Sequence, residues 1–135
     1  MPHKNQIWIN GCFDVLHMGH IKLFQRARQM GLPVIVGIDT DDRIQSMKGE
    51  NRPINDLHHR VEFLKAIKYI DAVVSFSTDD ELIEIIKEHS PRYMLIGEDY
   101  RNKDIIGSEH IKEIIYVKRY GDLSSSDIIN ETHKT

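Results

Sequence analysis

An acid and two histidines, Asp14, His17 and His20, are the residues of this sequence whose types and spacing first suggest chemistry. They lie between an apolar run of strand length that ends at Gly11 and a stretch from Gly19 with the apolar spacing of a helix. A strand-to-helix turn of this kind directs backbone N–H groups and side chains into one pocket. Unpaired N–H groups and the helix dipole at a helix N-terminus both favour anions. The turn therefore predicts a phosphate site, such as that of a nucleotide.

The elements that must position this turn alternate between strands and helices. The predicted strands are 6–10, 33–38, 72–76, 93–96 and 114–117, and the predicted helices are 19–30, 57–69 and 81–89, with a further short helix allowed at 41–47. Such alternation implies right-handed crossovers and a parallel sheet. The predicted fold class is α/β, a doubly wound parallel five-stranded sheet in a single domain that spans 1–135, with its core at about 6–131.

The segments that follow the strands should hold the ligand, because ligands of such sheets bind beyond the carboxyl ends of the strands. These segments supply cations, acids and hydroxyl groups. They are the cations Lys48, Arg52, Arg60, Lys118 and Arg119, the acids Glu98 and Asp99, the phenol of Tyr100, and the serines Ser124, Ser125 and Ser126. Together with the helix N-terminus, the cations would suit a polyphosphate. Asp14 or Asp99 would suit a metal ion or a sugar hydroxyl.

Other signatures of phosphate or acyl chemistry are absent from the sequence. It contains no GxxxxGK[ST], no GxGxxG after the first strand and no GxSxG. Cys12 is the only cysteine, which excludes an intramolecular disulfide and a cysteine-based zinc cluster, and the sequence shows no evident base to activate it. Without a protein nucleophile, direct displacement at phosphorus, catalysed by positioning and charge stabilisation, fits best.

Charge and hydropathy exclude some classes of binding partner. The formal net charge of −3 argues against a general nucleic-acid binder, which would carry a basic face. No apolar run approaches the roughly 20 residues needed to cross a bilayer, and the first residues lack the apolar region of a signal peptide. We therefore expect a cytoplasmic protein with no nucleic-acid or membrane partner.

Residues 11–20, Gly-Cys-Phe-Asp-Val-Leu-His-Met-Gly-His, resemble the GxFDxxHxGH signature of the cytidylyltransferase-like nucleotidyltransferases. Within that family the sequence is most similar to the glycerol-3-phosphate cytidylyltransferases and to the adenylyltransferase domain that activates heptose 1-phosphate. The resemblance implies a Rossmann-like sheet and transfer of a nucleoside monophosphate from a nucleoside triphosphate to a phosphorylated small molecule, with release of pyrophosphate. It also implies Mg²⁺ bound with the triphosphate, and a homodimer.

The resemblance implies roles for individual residues. His17 and His20 would contact the triphosphate and stabilise charge in the transition state, and Lys48 and Arg119 would be catalytic with them. The residues implied to bind the nucleotide are Asn10, Gly11, Cys12, Phe13, Gly19, Arg60, Gly97, Asp99, Tyr100, Ser124, Ser125 and Ser126. No protein side chain is assigned as a metal ligand.

Two further residues, Asp14 and Lys22, are assigned to binding of the acceptor substrate. Several of the assigned residues have other possible roles. His17 and His20 could be half of a metal site or lie at the surface, Lys48 could be a surface lysine, and Ser124, Ser125 and Ser126 could only cap a helix. Asp14 could instead cap the first helix or hold the turn, and Arg60 could instead pair with nearby Asp56.

Different motifs of the sequence point to different nucleotides. The cytidylyltransferases are resembled by Ile-Lys-Leu at 21–23 and by Arg119, the first residue of a stretch similar to their RTEGISTT motif. Residues 120–126 depart from that motif, because Tyr-Gly-Asp replaces TEG and serines replace both threonines. Asn-Arg-Pro-Ile-Asn at 51–55 and Gly-Glu-Asp-Tyr at 97–100 resemble the heptose enzymes, which use ATP. Because Arg119 lies in a motif expected to touch the nucleotide, we expect transfer of CMP from CTP to a phosphorylated polyol. The alternatives are transfer of AMP from ATP to a sugar phosphate such as heptose 1-phosphate, and a non-catalytic nucleotide-binding module on the same fold.

Overall fold

The computed structural model describes residues 3–118, in which strands and helices alternate as the sequence predicts. The strands are β1 (Lys4–Gly11), β2 (Val34–Asp39), β3 (Ala72–Phe76), β4 (Pro91–Gly97) and β5 (Glu113–Val117). The helices are α1 (Met18–Arg28), α2 (Asp41–Lys48), α3 (Leu57–Lys65) and α4 (Asp79–His89), with short 3₁₀ turns at Glu98–Tyr100 and Ser108–His110. Arg119, Ser124, Ser125 and Ser126, which the sequence assigns to the site, lie outside the described residues.

The five strands form one sheet in the order β3-β2-β1-β4-β5, and every neighbouring pair is parallel. From β1 the chain first builds β2 and β3 on one side, and then returns to place β4 and β5 on the other. The strand order therefore reverses between β1 and β4, which is where ligands bind in open sheets of this kind. The arrangement confirms the predicted α/β class and its doubly wound parallel sheet.

The core lies on both faces of the sheet because alternate residues of a strand point to opposite sides. Ile7 and Ile9 of β1 belong to the cluster that includes apolar residues of α1 and α3. Trp8, between them in sequence, belongs to the cluster that includes α4. All residues of β2 are buried. Each large side chain that is fully buried in this way stabilises the fold by about 1.5–3 kcal/mol, which makes the sheet a rigid support for the segments at its edge.

Helix α3 is shorter than the predicted helix 57–69. It starts as expected, with the Asp56 carboxylate accepting a hydrogen bond from the backbone N–H of His59 at 2.9 Å. It ends at Lys65, and the chain continues as tight turns in which the N–H of Ile67 donates to the carbonyl of Leu64. Bonds between residues three apart are a usual way in which a helix end satisfies its last carbonyl groups.

Candidate active site

A cavity of about 340 Å³ lies at the carboxyl ends of β1 and β4, at the reversal of strand order. Its volume falls in the range of small-molecule sites. Many of the residues that the sequence assigns to the site line it: Asn10, Gly11, Cys12, Phe13, His20, Lys48, Gly97 and Tyr100. The remaining wall is apolar and was not predicted. Its residues, Ile9, Leu23, Leu95 and Ile96, carry no polar signal in the sequence beyond their nearness to the strand ends and the first helix.

The two histidines cap α1 reciprocally. His17 is the N-cap residue, and its Nδ1 accepts a hydrogen bond of 2.9 Å from the N–H of Gly19. The Nδ1 of His20 accepts a bond of 3.1 Å from the N–H of His17, and the two ring centroids lie 4.1 Å apart. This is the geometry of a capping box with imidazoles in place of the usual hydroxyl and carboxylate groups. Because each Nδ1 is an acceptor, the neutral rings carry their proton on Nε2.

His20 is neutral in the free protein at physiological pH. Burial lowers the pKa of its imidazole from 6.5 to about 4, and the neighbouring His17 acts in the same direction. A neutral imidazole with its proton on Nε2 is a hydrogen-bond donor rather than a cation. The histidine side of the cavity can therefore stabilise an anion by directed donors and by the dipole at the start of α1.

Gly19 makes this histidine pair possible. A Cβ atom at Gly19 would lie 2.6 Å from Cε1 of His17, well inside contact distance. Phe13 supports the pair from the other side, because its ring packs edge-on against His20 with 5.5 Å between centroids. The backbone of Phe13 is left-handed, with φ of 49°, which turns the chain sharply between β1 and α1. The glycine and the turn thus place both rings at the helix start.

Asp14 holds the turn rather than facing the cavity. The residue is 1% exposed, and its carboxylate accepts bonds from Nε of Arg52 at 2.9 Å and from the N–H groups of Ile54 and Asn55 at 2.8 Å each. Burial acts to raise the pKa of Asp14, but the hydrogen bonds from Asn55, Ile54 and Arg52 outweigh it and hold the pKa below its usual value. The structure therefore favours the structural alternative for Asp14, and its assignment to the acceptor substrate stays a prediction.

Arg60 also faces the protein and not the cavity. It is fully buried, and its guanidinium donates to the carbonyl oxygens of Asn55, Cys12 and Asp39 at 2.9, 3.0 and 2.6 Å. Its fourth bond, of 2.5 Å, goes to the carboxylate of Asp41. These protein acceptors occupy the guanidinium, and the phosphate contact expected for Arg60 stays a prediction. The alternative pairing with Asp56 is wrong, because that carboxylate caps α3 and pairs with His59.

Lys48 brings a cation to the cavity. It is the exposed last residue of α2, and its Nζ lies 3.2 Å from Sγ of Cys12 on the cavity wall. Lys22, assigned to the acceptor, lies on α1 and does not line the cavity. Asp99, assigned to the nucleotide, is exposed in the 3₁₀ turn that follows β4.

Gly97 lines the cavity at a position whose backbone does not require glycine. Its φ of −62° and ψ of 144° are open to any residue. A Cβ atom there would meet no other atom of residues 3–118 within 4 Å. Among these residues the glycine therefore leaves space open at the cavity wall.

The site offers no ready-made metal centre within the described part of the chain. Among residues 3–118, no group of three or more His, Cys, Asp or Glu side chains is arranged to hold a metal ion. In the same range, none of the helices is long and apolar enough to cross a membrane.

Comparison with known sequences identifies a family. The profile of the family described as cytidylyltransferase-like matches residues 8–131. The bifunctional protein HldE of Helicobacter hepaticus is 40% identical over 129 residues, which are 96% of this chain and 27% of that protein. HldE of Campylobacter fetus is 37% identical over 95% of this chain and 28% of its own length. The chain thus spans about a quarter of the length of these curated relatives.

Solved structures support the fold. A lipopolysaccharide core biosynthesis protein from Thermoplasma volcanium superposes with a TM-score of 0.71 at 21% identity, covering 86% of this chain and 98% of that one. Pantothenate synthetase from Thermus thermophilus gives a TM-score of 0.67 at 18% identity, over 99% of this chain and 65% of the other. At these identities the likeness concerns the Rossmann-like fold alone.

Proposed function

This chain belongs to the cytidylyltransferase-like family, and we propose that this nucleotidyltransferase transfers AMP from ATP to a sugar phosphate such as heptose 1-phosphate, releasing pyrophosphate. ATP and a sugar phosphate were the alternative substrates drawn from the sequence, and they replace CTP and a polyol phosphate here. The expectation of CTP depended on Arg119, which lies outside the described residues. Relatives at 40% and 37% identity over almost the whole chain support the adenylyltransferase alternative over the cytidylyltransferase.

The observation that carries the chemistry is the pair of capping histidines beside the cavity at the reversal of strand order. In the proposed reaction an oxygen of the acceptor phosphate attacks the α-phosphorus of ATP. The bond from that phosphorus to the oxygen it shares with the β-phosphate breaks, and pyrophosphate leaves with the electron pair. His17 and His20 would donate hydrogen bonds to the oxygens on which charge develops. Preorganised donors of this kind contribute about 10²–10³ in kcat each.

The other side of the cavity would hold the rest of the nucleotide. Lys48, whose Nζ lies beside Sγ of Cys12, would neutralise the triphosphate. The space beside Gly97 and the partly exposed ring of Tyr100 suit the base, which can stack on an aromatic side chain. Mg²⁺ would be held by triphosphate oxygens and water rather than by a protein cluster, and would supply charge neutralisation at the phosphates. A homodimer and a cytoplasmic location remain predictions.

The test is pyrophosphate release by the purified chain, with ATP or CTP against heptose 1-phosphate, other sugar phosphates and glycerol 3-phosphate. We expect release with ATP and a sugar phosphate, and little with CTP. A requirement for CTP would overturn the choice of nucleotide. Tight binding of ATP with no pyrophosphate released for any acceptor would instead support the non-catalytic module.

A further inference from the structure

Helix α2 carries a cavity residue at one end and an ion pair with a buried arginine at the other. Asp41 is its first residue and Lys48 its last, about 10 Å apart along the helix axis. Between them the fully buried Ile44 packs in the protein interior, and Arg43 pairs with Asp39 at 2.8 Å. Arg43 also pairs with Asp79 at 2.8 Å. The middle of the helix is thus docked by contacts that involve neither end, and the Asp41 end has a contact of its own.

Arg60 supplies that contact at the Asp41 end. Its buried guanidinium binds the carboxylate of Asp41 at 2.5 Å and, through Nη1, the carbonyl of Cys12 at 3.0 Å. A planar guanidinium with several acceptors has one preferred orientation, so it relates its partners rigidly to one another. The start of α2 is therefore fixed relative to the backbone of Cys12 on the cavity wall.

Lys48 closes the arrangement at the other end of α2. Its Nζ contacts Sγ of the same Cys12 whose carbonyl Arg60 binds. Contacts and helix together form a closed ring, from Arg60 to Cys12, to Lys48, along α2 to Asp41 and back to Arg60. We infer that Asp41 and Arg60 are positioning residues that set α2 so that the Lys48 ammonium stays at the rim of the cavity. The role of Lys48 in turnover rests on the proposed function, whereas its placement does not.

The rigidity of this ring of contacts depends on the buried Arg60. The contact between the exposed Lys48 and Cys12 is too weak to fix the position of α2 alone. The Arg60 pair differs because Arg60 is fully buried, while the Asp41 side chain remains 43% exposed. Removal of the Asp41 carboxylate should therefore leave a helix that is still docked through Ile44 and Arg43, with its first turn free to shift.

The experiment compares Asp41→Ala with Asp42→Ala. Both acids lie in the first turn of α2, so both changes alter the helix dipole interaction alike, but Asp42 is exposed and outside the ring. The first readout is the rate at which iodoacetamide alkylates Cys12, the only cysteine of the chain. The rate reports on the surroundings of the sulfur, because the Nζ of Lys48 lies 3.2 Å from Sγ. Lys48→Met should change the alkylation rate by about two- to fivefold. Asp41→Ala should change it in the same direction and to the same extent, and Asp42→Ala should keep the wild-type rate.

The second readout is kcat for pyrophosphate release. Asp41→Ala should lower kcat by about tenfold, as displacement of a catalytic group does. In a Lys48→Met background the same change should alter kcat by less than about twofold, because the two residues act through one contact. Unchanged alkylation in Asp41→Ala, in a variant whose melting temperature shows that it is folded, would overturn the positioning role. If the wild-type chain releases no pyrophosphate, the proposed function fails, while the alkylation rates still decide the placement of Lys48.

Discussion

The histidine turn, residues 12–20, and the basic residues of 48–60 flank the same cavity but are built in opposite ways. In the histidine turn, each capping bond joins residues two or three apart in sequence. Among the basic residues, the contact from Arg60 to Cys12 spans 48 positions and that from Arg52 to Asp14 spans 38. Chemistry made by local contacts can be predicted from spacing. Charge alone does not tell whether a distant side chain will face a ligand or the protein.

The largest expected effect separates capping from chemistry in the histidine turn. His17→Asn keeps a side-chain acceptor at the N-cap, where asparagine is among the preferred residues, but removes the imidazole. We expect the free energy of unfolding to change by less than about 0.5 kcal/mol and kcat to fall by about 10²–10³. Urea denaturation and pyrophosphate release measure the two. A fall in kcat that is accounted for by a loss of folded protein would show that His17 acts only as a helix cap.

The next effect concerns Arg60 and is expected in stability rather than in ligand affinity. Arg60→Gln leaves buried carbonyl groups without donors, so the free energy of unfolding should fall by about 2–4 kcal/mol. Arg28→Gln is the control, because that arginine pairs with Asp71 on the surface and its side chain is 49% exposed; its change should stay within about 0.5 kcal/mol. If Arg60→Gln weakens ATP binding while stability is retained, Arg60 binds the phosphate after all.

The smallest effect is the pH dependence that His20 adds to stability. The pKa of His20 is about 4 in the folded protein against 6.5 for an ordinary histidine. As pH falls from 6.5 toward 4, the unfolded chain binds a proton that the folded chain excludes, so stability decreases by on the order of 1–3 kcal/mol. His20→Gln keeps a capping-box residue without a titrating group. The difference in unfolding free energy between wild type and variant should therefore depend on pH over this range, and a constant difference would contradict the low pKa.

The fold was predictable because its signals are periodic. Apolar runs such as Pro-Val-Ile-Val-Gly-Ile at 33–38 predict buried parallel strands, and all residues of β2 are indeed buried. The cavity was predictable because strand ends converge, and the His17 and His20 spacing marks a helix start. The inward orientation of Arg60 was not, since it is held by residues that fold against it from far along the sequence. For Asp14 the sequence left a structural role and contact with the substrate both open. The reciprocal capping of α1 by two imidazoles was also missed, because histidine is not among the usual capping residues.

Nucleotidyl transfer at the α-phosphorus is tested most directly by the fate of isotopic label. The purified chain is incubated with heptose 1-phosphate and with ATP labelled either at the α-phosphorus or at the γ-phosphorus. We expect the α-label to appear in a nucleotide-sugar product and the γ-label to be released only in pyrophosphate. Transfer of γ-label to the sugar phosphate would contradict nucleotidyl transfer. Retention of both labels in ATP, with heptose 1-phosphate and with the other acceptor phosphates named above, would contradict it as well.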